Sequence, residues 1–171
     1  MSYTFDLVRL QPGIDPDVAY RKQSKETEEE LRKSLEDQGA SDPQKEEAKQ
    51  QLARALVTSH PSLEIFQPDF AELARLHEID LAEARQRFRN IELNERRYSI
   101  QITLFDDAAA VALSFAGTVE GCKQALRFLW DCLKTLHSHG GFSVFDPQVD
   151  KLLNLDSDLD LVMKTVCGRR A

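Results

Sequence analysis

Residues 98–115, YSIQITLFDDAAAVALSF, limit the possible folds more than any other stretch of this chain. Tyr98, Ile100, Ile102 and Leu104 alternate with more polar neighbours. Asp106-Asp107 offers a turn, and Val111, Leu113 and Phe115 alternate on the way back. A period of two puts each set on one side of a strand, so the stretch predicts a β-hairpin with one face on a core. Ala108, Ala110 and Ala112 fall on the opposite face. Such small side chains imply either a closely packed helix or a face left open.

A cover for the apolar face follows at once. In residues 118–141, Cys122, Leu126, Leu129, Leu133 and Leu136 step by three and four, one buried helical stripe. Thr118 caps this helix and Gly140-Gly141 end it. Residues 142–146, FSVFD, predict a strand, and 157–167 a last helix capped by Asp156 or Ser157. Upstream, 3–10 predict a strand at or near a sheet edge, with Tyr3, Phe5 and Leu7 on one face. Residues 15–38 predict a helix with Asp15 as cap and a thin apolar stripe of Val18, Leu31 and Leu35. A second helix opens at Ser41, in capping-box spacing with Gln44, and buries Ala48, Leu52, Ala55 and Leu56 before Pro61. Residues 62–67 read as a short strand or extended linker. The expected fold class is therefore α+β: a partly antiparallel sheet with a central β-hairpin, packed by a long helix, plus an N-terminal αα-hairpin over 15–60. At 171 residues this fits one domain over 1–171.

Residues 70–88, FAELARLHEIDLAEARQRF, have the outline of a helix-turn-helix and raise the possibility of a DNA-binding regulator using 69–91. The charges argue against it. From Asp69 to Arg97 there are seven acids and six arginines. The first residues of the second helix, which would meet base edges, are Asp80, Leu81, Ala82 and Glu83. Two acids there would be repelled by the phosphates. Asp69 with Glu72, and Asp80 with Glu83, instead stand in capping spacing, where the helix dipole favours acids. A structural αα-corner accounts for the same residues. Leu81, Ala84, Phe88 and Ile91 would form its buried stripe, and Arg85, Arg87 and Arg89 would be solvated or paired with acids.

Other constellations fail their own requirements. His137 and His139 lack the partner spacing of a zinc site, and their place at a helix C-terminus suits the dipole. The run DSDLD at 156–160 opens like a calcium loop, but Leu161 and Cys167 stand where glycine and glutamate are required. There is no Gly-x-Ser-x-Gly elbow and no glycine-rich phosphate loop. No cofactor or metal is expected. A small-molecule or hydrolytic site near Asp106 and Asp146 would need both turns at one end of the sheet.

The three cysteines read as reduced thiols. Cys122 and Cys132 are about 15 Å apart along one helix, too far for a bond. With no basic and apolar leader and no membrane-length apolar run, a soluble cytoplasmic protein is expected.

The layout of an extended start, helical insert, hairpin and long helix, closed by Val144-Phe145-Asp146-Pro147-Gln148, resembles small cytosolic bacterial α+β proteins of unassigned function. The stretch IELNE at 91–95 shares in that likeness. Some proteins of this acidic type resemble immunity proteins, which neutralise a toxin. The resemblance implies a non-enzymatic protein that binds a basic protein partner. The net charge of −7 suits that role, because complementary fields speed encounter. Residues 15–51 carry eleven acids and seven bases. The candidate partner-binding residues are Glu28, Glu29 and Glu30 there, with Asp106, Asp107 and Asp146 at the turns.

Overall fold

The computed structural model describes residues 2–9, 13–15, 18 and 41–168. Its strands are β1 (Ser2–Arg9), β2 (Glu64–Ile65), β3 (Ile91–Glu95), β4 (Ile100–Leu104), β5 (Ala108–Ser114), β6 (Phe142–Asp146) and β7 (Lys151–Leu152). They form one antiparallel sheet in the order β2-β3-β4-β5-β1-β6-β7. The helices are α1 (Pro43–Ser59), α2 (Phe70–His77), α3 (Leu81–Arg87), α4 (Val119–Gly140) and α5 (Leu159–Cys167). The fold is α+β, as the sequence predicts.

The hairpin is β4–β5, in register Ile100↔Leu113 and Ile102↔Val111. Its buried side chains join Phe5, Leu7, Leu93 and Val144 from the neighbouring strands in a single core. Leu52, Ala53 and Leu56 of α1, the stripe of α4, and Val162 and Val166 of α5 complete it. Thr118 accepts from the Gly121 N–H, and Gly141 ends α4 in the left-handed conformation that glycine tolerates. Leu129 is fully buried in this core. Leu129→Ala is expected to cost about 2–5 kcal/mol in a urea melt. A loss well below 1 kcal/mol would show that α4 is not docked on the hairpin.

Several elements differ from expectation. β1 is not an edge strand: it pairs β5 on one side and β6 on the other. The segment at 91–95 is strand β3, paired with β4, and Ile91 belongs to it rather than to a helical stripe. The 62–67 strand shrinks to two residues, and β7 is a further short strand. Asp42, not Ser41, caps α1, accepting from the Gln44 N–H at 2.9 Å. Asp158 precedes α5 in place of Asp156 or Ser157, and its carboxylate takes Lys151 Nζ at 2.7 Å and the Asn154 N–H at 2.8 Å. The first helix expected over 15–38, with Glu28, Glu29 and Glu30, lies outside the described residues apart from Asp15 and Val18. The second helix of that pair, α1, is present.

The largest correction concerns the thiols. Cys122 near the start of α4 and Cys167 at the end of α5 form a disulfide, with Cα atoms 5.8 Å apart. Only the fold brings them together, since they stand 45 positions apart in sequence. Cys132 stays a buried free thiol, pushed up to about 12 by burial and then by the charges of Asp131 and Glu95.

Candidate functional site: the acidic helix corner

The turn acids of the hairpin are occupied internally. Asp106 accepts from Lys49 Nζ at 2.9 Å and Arg89 Nη2 at 2.6 Å. Glu46 takes the same two cations, Lys49 at 2.8 Å and Arg89 Nε at 3.0 Å. Lys49 is only 1% exposed, so these charges sit largely out of water. Burial pushes the Asp106 carboxyl upward, but hydrogen bonds and charge from Arg89 and Lys49 outweigh it and hold the group below its ordinary value. The quartet pins α1, the chain after α3 and the β4–β5 turn to each other. Asp107 is exposed and pairs with Lys45.

Asp146 is fully buried at the other end of β1. The Tyr3 hydroxyl donates to it at 2.5 Å and the Gln148 N–H at 2.9 Å. Burial raises its pKa, and these bonds only partly offset that. Asp6 is raised as well, by burial first and then by the Asp146 charge. Asp6 faces Phe145, which sets Asp146 beside Phe5, whereas the Arg9 N–H donates to Asp107 O. Four residues of strand lie between, or about 13 Å. The Asp106 and Asp146 turns therefore do not share a sheet end, and the geometry required for a joint carboxylate site is not met.

The other prominent surface is the corner made by α2 and α3. Asp69 caps α2 by accepting from the Ala71 and Glu72 N–H groups, each at 3.0 Å. Asp80 caps α3, accepting from the Glu83 N–H at 2.8 Å. Between them Glu78 turns the chain in the left-handed conformation, φ 55°. Ala74 and Ala84 are buried, and the His77 and Phe88 rings meet in a tilted pair with centroids 4.8 Å apart. Neither alanine belongs to the main core, so the corner rests on a small interior of its own. The expected stripe is only half present. Ala84 is inside and Phe88 is half-buried, but Leu81 is 43% exposed. Leu76 is 60% exposed. The same segment carries Asp69, Glu72, Glu78, Asp80 and Glu83, all exposed, against exposed Arg75, Arg85 and Arg87. Just before the corner, exposed Ile65 and Phe66 line an open recess with Arg96, Gln101 and Ala112.

Sequence reasoning identified the caps and missed the surface. Leu81 falls in helical spacing with Ala84 and Phe88, and periodicity alone assigns it to a core. Arg89 was expected to be solvated or paired; it is paired and nearly buried. Among the described residues no cluster of three or more His, Cys, Asp or Glu is placed to hold a metal, and no helix is long and apolar enough to cross a membrane. His137 Nδ1 donates to Phe142 O at 2.6 Å, next to the end of α4. Comparison with protein-family models, with curated proteins and with solved structures finds no match.

Proposed function

We propose that this protein acts by binding, without chemistry of its own, and that it is an immunity-type protein that neutralises a basic protein partner such as a toxin. The observation that carries the reading is the α2–α3 corner: two exposed leucines on a segment with five exposed acids and three exposed arginines. Exposed apolar side chains with a charged rim are the usual anatomy of a partner surface. The rim's sign matches a cationic partner and would steer its approach. Glu28, Glu29 and Glu30 add to the chain's net negative charge, and Asp107 lies on the surface. Asp106 and Asp146, by contrast, serve the fold.

The test begins with capture of a partner from source lysate, followed by binding kinetics at two salt concentrations. Glu78→Lys/Glu83→Lys is expected to slow association by about tenfold at low salt and by much less at high salt. Glu28→Lys/Glu29→Lys/Glu30→Lys should act in the same direction. Leu76→Ser/Leu81→Ser should mainly speed dissociation. All three variants should keep the wild-type circular dichroism. Unchanged kinetics in the corner variants would remove α2–α3 from the interface.

Nucleic acid is the competing ligand, because exposed Arg85 and Arg87 end α3. At about 50 mM salt and micromolar protein, duplex DNA should not shift. A shift abolished by Arg85→Ala/Arg87→Ala would replace the protein-partner reading. Arg89 is unsuitable for this test, since its loss would disturb the buried quartet.

A further inference from the structure

The bond between Cys122 and Cys167 bears on where the chain matures, independently of what the corner binds. Cys122 is 0% and Cys167 1% exposed, so both sulfurs are closed to solvent in the folded protein. Their Cα separation of 5.8 Å falls in the ordinary range for a disulfide. The bond ties α5 to α4, the one helix against which α5 chiefly packs. α5 has nine residues and no side-chain cap, and a helix that short is marginal without tertiary support. Cys132, the remaining thiol, is buried and held protonated, so it is a poor nucleophile for exchange with the bond.

We infer that Cys122–Cys167 is a permanent staple, formed in an oxidising compartment, that keeps α5 seated on α4. Two thiols pass two electrons and two protons to a disulfide oxidant, which leaves as two thiols, while the Sγ–Sγ bond forms. Buried structural disulfides of this kind persist where thiols are oxidised, whereas cytosolic ones are usually transient and exposed to exchange. Of the three cysteines only Cys132 is a free thiol, so the cysteines no longer point to a reducing cytosol.

The experiment is a thiol count on protein quenched with acid and alkylated directly from its source cells. In denaturant without reductant, one cysteine, Cys132, should react; after reduction, three should. Three reactive thiols before reduction would overturn the inference. A second measurement follows reduction of the folded protein by excess dithiothreitol, which should run about 100-fold slower than in denaturant because α5 must first open. Equal rates would show an exposed, exchangeable bond and overturn permanence. For the seating of α5, Cys122→Ala/Cys167→Ala should gain protease cleavage within 153–160. If that variant does not fold, cleavage of wild type is compared with and without reductant instead. Full resistance in the reduced state would show that α5 is held without the bond.

Discussion

Asp106→Ala is expected to destabilise the protein by about 3–5 kcal/mol, because two charge-assisted hydrogen bonds worth about 1.5–3 kcal/mol each are lost. The substitution takes one of two carboxylates from Lys49, which is 1% exposed, and from Arg89, leaving Glu46 as the shared carboxylate for both. Asp107→Ala, one residue away, is the control. Its pair with Lys45 is exposed, and such pairs contribute about 0–1 kcal/mol. Urea melts of the two variants at neutral pH make the comparison; equal small losses would show that the quartet is dispensable. The same carboxyl gives a pH signature. Its folded pKa lies below 3.8, its unfolded value, so ionisation favours folding. That contribution is fully present above the ordinary carboxylate range and is lost as pH falls through the lowered folded value. The gap between wild type and Asp106→Ala should therefore narrow on acidification. A gap that widens instead would reverse the assigned direction.

Opening the disulfide should have an effect of similar size. With the cysteines 45 positions apart, chain entropy alone assigns the bond about 4 kcal/mol. For a chain of this length that corresponds to a fall in Tm of roughly 8–16 °C. Wild type is melted with and without excess dithiol, alongside Cys122→Ala/Cys167→Ala, which should melt low in both. A wild-type Tm indifferent to reductant would show that the cross-link does not stabilise the fold.

The hairpin, the α4 stripe and the caps at Asp69, Asp80 and Thr118 were legible because each is a local rule: alternation, a step of three and four, or an acid before a helix. What escaped depends on contacts distant in sequence. The alternation of Ile91, Leu93 and Glu95 marks a strand, but Ile91 also extends a helical spacing from Leu81, and only pairing with β4 decides between them. β1 resembles an edge because Tyr3, Phe5 and Leu7 alternate with Thr4 and Asp6, yet it is paired on both sides, by β5 and β6. Spacing cannot reveal that Asp106 lies within reach of Lys49 and Arg89, or Cys122 of Cys167. Those partnerships lie 57, 17 and 45 positions apart. The acidic corner was half readable: its charge sign told against DNA, while the exposure of Leu76 and Leu81 awaited the packing.

The small interior of the α2–α3 corner has a consequence for how the protein opens. Releasing it uncovers two buried alanines and the covered parts of Phe70, Leu73, Ile79 and Phe88, none of them in the main core, so its amides should exchange with solvent through a local event far less costly than global unfolding. A ligand seated on Leu76 and Leu81 would quench that breathing. Part of its binding energy would go into ordering the corner, while β4, β5 and α4 remain undisturbed.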